Sequence, residues 1–441
     1  MKEEKIADII KKKPRENGMD TCLQKAFIKI LEEELVPAMG CTEPIAVAYA
    51  AALAAKTLGQ RPEKADIRVS ANIIKNVKSV VVPHTGGLRG IAAAAAAGIV
   101  AGNADKQLEV ISQVAETQIP EMAEYLKNAE FAIAQSEAPY VFHIDITVAA
   151  DNHTARVQIA GNHTNVIGLE KDGEVLLEKT YVPGAAGDKT DHSILSVEKI
   201  VEFADTVELG EVKSILDRQI AYNTAIAEEG FRGDWGANIG SVLLKAYGNT
   251  THNRAKAYAA AGSDARMSGC EMPVVINSGS GNQGMTASLP VIVYARDMGV
   301  SQEMLYRALV VSNLTTIHMK TGIGTLSAYC GATSAGCGAG AGITYLHGGK
   351  YREIAHTIVN AVAINSGMIC DGAKASCAAK IASAVEAGLL GMQMQMQGEQ
   401  FYGGDGIVVK GVENTIQNVG RLASVGMVST DKEIIDIMVN C

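Results

Sequence analysis

Gly367-Met-Ile-Cys-Asp-Gly-Ala-Lys-Ala-Ser-Cys377 sets two cysteines, Cys370 and Cys377, on either side of a short turn. Asp371 and Gly372 permit a tight backbone bend there. The apolar run Ala378 to Leu390 that follows predicts a helix. A thiol at that helix start gains from unpaired N–H groups and the positive end of the dipole. The stretch therefore reads as half of a metal or cluster site, mounted on helices.

The surrounding chain carries helical patterns almost without interruption from Ser196 to the end. Segments are expected at 284–298, 301–320, 326–346, 351–366 and 375–396, among others, with Gly- and Asn-containing turns between many of them. The uncharged run Gly322 to Leu346 is long enough to span a bilayer. It consists mainly of Gly, Ala, Ser, Thr and Cys, so a buried helix pair broken at its glycines is the expectation.

Upstream the texture differs. Asp66 to Ser70, Phe131 to Ala134, His143 to Ala149, Ala155 to Ala160 and Val166 to Leu169 read as strands. Lys171-Asp-Gly173 is a hairpin turn signal leading into a further strand before Tyr181. Before these, Ala26, Phe27, Ile30, Leu31 and Leu35 share one helical face, and Pro37 breaks the run. Gly40-Cys-Thr-Glu-Pro44 then opens the apolar segment Ile45 to Leu58, with Thr42 as the expected N-cap and Pro44 in the first turn. The fold class expected is α+β: a mainly helical catalytic domain with a smaller α+β domain inserted near the N-terminus. Residues 1–62 supply helices that pack with the catalytic domain, 63–190 form the α+β domain, and 191–441 form the all-helical domain. Residues 183–191, rich in Gly, Ala and Asp, read as the exit linker.

The net charge of −9 over 441 residues argues against a nucleic-acid surface. Glycine, at 45 residues, is about a tenth of the chain against a usual ~7%. Such density suits helices packed backbone to backbone. Residues 1–20 are charged and carry no apolar stretch, so a cytoplasmic protein without a leader or membrane span is expected. In that setting eight cysteines point to reduced thiols, buried or ligating, rather than to a disulfide framework. The expected partner is a small amino-acid substrate, with no nucleic acid and no membrane. The expected assembly is a homo-oligomer, a dimer.

The C-x6-C spacing of Cys370 and Cys377 is wider than zinc-ribbon pairs. A third thiolate is available at Cys330, or at Cys337. Three thiolates on a [4Fe–4S] cluster leave one iron open as a Lewis acid; spacing alone leaves buried free thiols as the alternative. Asn277-Ser-Gly-Ser-Gly-Asn-Gln-Gly284 is a loop whose backbone N–H groups suit a carboxylate. It lacks the Walker spacing. Its candidate contacts are Asn277, Ser278, Gly279, Ser280, Gly281 and Asn282. Asp264 and Arg266 could clamp an amino acid's ammonium and carboxylate, or form an ordinary ion pair. Asn72, Lys75-Asn76 and His163-Thr-Asn165 sit at strand ends or turns, where residues often line a cleft. Cys41, just before a helix start, is either a low-pKa base or a small buried hydrophobe.

Taken in order, Gly40-Cys-Thr-Glu-Pro44, Ser263-Asp-Ala-Arg-Met267, Asn277 to Gly284, Leu326-Ser-Ala-Tyr-Cys330 and Gly367 to Cys377 resemble the L-cysteine desulfidase family. That family is related to the iron–sulfur-dependent L-serine dehydratases. The resemblance spans roughly residues 20–440. It implies a helical domain joined to a smaller α+β domain, an oxygen-sensitive [4Fe–4S] cluster and no pyridoxal phosphate. It implies cluster ligands at Cys330, Cys370 and Cys377 and makes Cys41, as thiolate, the catalytic base. Cys270 and Cys337 fall outside its pattern and read as packing residues. Cys441 is not a general family feature; a terminal thiolate reaching the open iron is a separate expectation. The implied reaction is β-elimination of L-cysteine to pyruvate, ammonia and hydrogen sulfide. Dehydration of L-serine on the same site is the near alternative, and a non-catalytic cluster-bearing sensor the distant one.

Overall fold

A computed structural model describes residues 19–182, 190–324 and 326–439. The chain opens with helix α1 (Thr21–Glu34), strand β1 (Pro37–Met39) and helix α2 (Thr42–Leu58). Strand β2 (Lys64–Val69) follows, with helices α3 (Ala71–Val77), α4 (Gly90–Ala101) and α5 (Gln118–Asn128). Strands β3 (Glu130–Gln135), β4 (His143–Ala150), β5 (His153–Ala160), β6 (Val166–Lys171) and β7 (Glu174–Glu178) complete this part. The helical part contains α6 (Val197–Thr206), α7 (Leu209–Arg232), α8 (Ile239–Tyr247), α9 (Thr251–Met267), strand β8 (Pro273–Val275) and α10 (Gly281–Met298). It continues with α11 (Gln302–Thr321), α12 (Gly331–Leu346), α13 (Tyr351–Ile364), α14 (Cys377–Met396), α15 (Val412–Arg421) and α16 (Val428–Val439). The fold is α+β and mainly helical.

The six-stranded sheet runs β3-β2-β4-β5-β6-β7. Only the β2–β3 pair is parallel, as a crossover through α3 to α5 requires. Along β4 the apolar Ile144, Ile146 and Val148 alternate with His143, Asp145 and Thr147, the period-2 signature of a strand. The Asp172-Gly173 turn adopts φ of 51° and 82°, the positive pair that a two-residue hairpin uses. Helix α2 is alanine-rich and buried on almost every face. It was expected to pack with the C-terminal helices. Instead it lies on β4, β5 and α4, because small side chains on all sides let both a sheet and a helix approach closely.

The C-terminal helices pack at similarly short range. A Cβ on Gly336 of α12 would stand 2.2 Å from the Ala384 carbonyl oxygen of α14. One on Gly388 of α14 would stand 2.1 Å from the Gly336 oxygen. Within the uncharged run at 322–346, residues Gly331–Leu346 form one buried helix, α12, rather than a pair. Residues 326–330 of the run are drawn off into a short bridge described below. No helix among the described residues is long and apolar enough to cross a membrane. The apolar core runs without a break from the sheet into the helices. Residues 1–18, most of the expected linker (183–189) and Cys441 lie outside the described residues.

Candidate functional site

Two chain reversals bring Cys330 and Cys370 together. Tyr329 and Ile369 form an isolated antiparallel bridge. Around it Cys330 N donates to Met368 O (2.9 Å) and Cys370 N to Ala328 O (2.7 Å). The neighbouring Cys370 thiol and burial push the Cys330 thiol up. Cys330 in turn draws the Cys370 thiol below its ordinary value against the opposing effect of burial, helped by Lys75, the Gly372 N–H and Lys320. Cys330 caps α12 and Cys377 is the first residue of α14, so two helix N-termini point at the thiols.

The turn between Cys370 and Cys377 is fixed by glycine. Gly372 has φ +92°, and a Cβ there would stand 2.4 Å from the Lys75 carbonyl oxygen of α3. Only glycine meets both conditions without strain. Lys75, 3% exposed, donates to Asp431 Oδ1 (2.5 Å) and lies 3.5 Å from Cys370 O. Lys374 and Lys380 hold the Asp371 carboxyl down at about 2, although burial opposes them.

Strand β1 pairs with β8, Pro37 opposite Val275 and Met39 opposite Pro273. This clip sets the Cys41 turn against the loop that follows β8. Thr42 Oγ1 donates to Gly279 O (2.9 Å) and so locks the two together. The structure corrects the expected cap: Cys41 is the N-cap of α2, and Thr42 is inside the helix. Cys41 sits in a small apolar cluster with Val80 and Met267, and Ala373 and Cys377 pack on it. Cys41 and the Cys370–Cys377 turn therefore meet.

The expected Cys41 thiolate is not what this environment favours. The Cys41 S–H donates to Glu43 Oε2 (3.1 Å). Burial first, then the Glu43 charge, push the thiol well above its ordinary value, outweighing Arg266. Burial works against ionisation of Glu43, but His163, the Cys41 hydrogen bond and Arg266 hold its carboxyl low. Asn76 Nδ2 donates to the other carboxylate oxygen (3.0 Å). The helix-start argument fails because burial, and after it the Glu43 carboxylate two residues away, outweigh a half-charge of helix dipole.

The loop from Asn277 to Gly281 splits in two. Ser278 and Gly279 line a cleft of about 1590 Å³, together with Asn72, His163, Lys320 and Asp431. Ser280 is the N-cap of α10 and makes no side-chain cap, leaving the first helical N–H groups of Gly281 and Asn282 without one. Asn277 is turned inward instead. Its Nδ2 donates to Asn313 Oδ1 (3.0 Å), its Oδ1 accepts from Ser278 (2.8 Å), and Asn313 pairs reciprocally with Gln219. Its amide is committed to the core, which corrects its place among the ligand contacts. Arg266 lies against Gly281 and donates to Asn282 Oδ1 (3.1 Å). Asp264 does not join it in a clamp. It accepts from Gly240 N (3.2 Å) at the start of α8, and burial raises its carboxyl to about 6. Cys270 and Cys337 are buried packing residues.

Lys320 and Glu43 carried no role in the sequence. Lys320 lies in the last turn of α11, is 7% exposed, and is pushed down to about 8 by burial, against the Cys370, Cys330 and Glu43 charges. The signal available was a lone lysine closing a helix otherwise built for the interior. For Glu43 it was a carboxylate in the first turn of an apolar helix.

The donor set fits an iron–sulfur cluster. Three mutually adjacent thiols, two helix N-termini and the buried Lys75 lie together, as an anionic, thiolate-bound group requires. Among the described residues no three His, Cys, Asp or Glu stand close enough for a single ion. A cubane spreads its ligand sulfurs more widely than a single ion does.

A family model described as serine dehydratase alpha chain matches residues 105–436. A UPF0597 protein of Desulfitobacterium hafniense is 59% identical over 416 residues, covering 94% of this chain and 97% of its own length. One from Lachnoclostridium phytofermentans is 49% identical over 418 residues (95% and 100% covered), and one from Treponema denticola 46% over 428 residues (96% and 99%). The chain belongs to the serine dehydratase alpha chain family, alongside these UPF0597 proteins, and shares its dehydratase or lyase type of function.

Proposed function

We propose that the chain is an L-cysteine desulfidase that eliminates sulfide from L-cysteine to give pyruvate and ammonia, without pyridoxal phosphate. The observation that carries this is the packing of Cys41 and Cys377 in one cluster, beside the paired Cys330 and Cys370. A [4Fe–4S] cluster held by Cys330, Cys370 and Cys377 would supply a Lewis-acidic iron for the departing β-substituent.

The chain's own residues handle the proton and the substrate's polar ends. Cys41 holds its proton at rest, so a preformed thiolate is not the base. Glu43 accepts that proton as Cys41 Sγ takes the α-hydrogen, and the Cα–H electron pair forms the Cα=Cβ bond as sulfide leaves. Asn76 and His163 hold Glu43 ready as an ionised acceptor. The substrate carboxylate lies on the Ser278–Asn282 backbone, whose N–H groups open α10, with Arg266 bracing Asn282. Apolar packing around Cys41 keeps water from the transferring proton.

L-serine dehydration is the second reading, and the description of the matching family model favours it. Protein purified and reconstituted with iron and sulfide without oxygen separates the two. Faster pyruvate release from L-cysteine than from L-serine supports the desulfidase. The reverse order assigns the chain to serine.

A further inference from the structure

The cleft beside the thiols carries two polar groups that the described chain leaves unsatisfied. Lys320 is 7% exposed, and its ammonium has no hydrogen-bond or ion-pair partner among the described residues. Asn72, 8% exposed, has a buried Oδ1 with no donor. Both line the same cleft of about 1590 Å³.

The neighbouring charged groups already have close protein partners, though only Lys75 has a charged one. Lys75 is bound to Asp431, and Glu43 receives hydrogen bonds from Cys41 and Asn76. Arg266 donates to Asn282; its buried Nε has no partner, but Arg266 does not line the cleft. A lysine taken out of water without a directly bonded partner is costly, and an orphaned amide oxygen is costly too. One cation and one acceptor on the wall of one cleft match the two ends of a zwitterion.

We propose that Lys320 is the counter-charge for the carboxylate of an α-amino acid in this cleft, and that Asn72 Oδ1 accepts from its ammonium group. This rests on the amino-acid lyase reading above and adds to it the groups that select an α-amino acid over an amine. It places the charge for the carboxylate on Lys320, and leaves to the α10 backbone the N–H contacts.

The alternative is that Lys320 serves only the thiolates of Cys330 and Cys370. Two ligands that cannot undergo elimination separate these roles: L-alanine, and ethylamine, which lacks the carboxylate. Each is titrated by ligand-observed NMR into cluster-loaded wild type, Lys320→Met and Lys320→Arg, with iron content measured in parallel. Lys320→Met is expected to weaken L-alanine by ~10-fold or more, the scale of a charged hydrogen bond. Ethylamine binding and iron content stay unchanged, and Lys320→Arg retains most of the L-alanine affinity. Equal weakening of both ligands, or loss of iron in Lys320→Met, overturns the assignment. Unchanged L-alanine binding in Lys320→Met overturns it alone and leaves the lyase reading standing. A wild type that binds no L-alanine overturns both.

Discussion

Replacing Glu43 with Gln keeps the shape and one acceptor oxygen of the side chain while removing its charge. Cys41 Sγ lies 3.1 Å from Glu43 Oε2. Two unit charges at that distance interact by about 1.3 kcal/mol at the permittivity of water and about 5 kcal/mol at an effective value of 20. At 1.36 kcal/mol per pKa unit, losing the carboxylate should lower the Cys41 pKa by roughly 1–4 units. Arg266, which favours the Cys41 thiolate, acts in the same direction once Glu43 is neutral. The assay is iodoacetamide labelling of cluster-free protein across a pH series, with Cys41 modification read by mass spectrometry. Cys337, 1% exposed and raised to about 12 by burial, reports local opening as an internal reference. The expected result is a Cys41 labelling curve shifted down by at least about one unit in Glu43→Gln, with Cys337 unchanged. Coincident Cys41 curves, or an upward shift, would refute the claim that Glu43 holds the proton on Cys41.

Two further outcomes test the corrected assignments. Asn277→Ala should cost about 1–3 kcal/mol of stability by stranding Asn313 and Ser278, with KM changed less than about threefold; a large KM rise at unchanged Tm would return Asn277 to the ligand. Asp264, raised to about 6 in the folded chain from its usual value of 3.8, contributes stability below that usual value that is lost as pH rises through 6. Asp264→Asn lacks that loss, so its stability relative to wild type should improve by up to about 3 kcal/mol between pH 4 and 7. Chemical denaturation at the two pH values measures it, and a pH-independent difference would contradict the shift.

Much of the fold was legible because its signals are local. Alternation marked β4 and β5, the Asp172-Gly173 pair marked the hairpin, and capping residues and glycines bounded the C-terminal helices. The three-residue clip between β1 and β8 was not legible, since neither strand is long enough to show a period. The packing side of α2 was hidden by its alanine-rich surface, which carries no stripe to orient it. The cysteines of the site were legible as residue types in order. Their electrostatics were not. Whether Cys41 is a thiolate depends on its burial in the assembled fold and on the placement of Glu43, and whether Asn277 faces a ligand depends on Asn313, distant in sequence. Lys320 escaped for a related reason: a helix-terminal lysine is ordinarily solvated, and only the assembled cleft shows that this one is buried without a directly bonded partner among the described residues.

The most direct measurement quantifies pyruvate, ammonia and sulfide together, from L-cysteine supplied to anaerobically reconstituted protein carrying its full iron and sulfide content. Equimolar appearance of all three, abolished in Cys41→Ala at unchanged iron content, is the predicted result. Iron-replete protein that releases no pyruvate from L-cysteine, L-serine or any other amino acid would contradict elimination chemistry at this site.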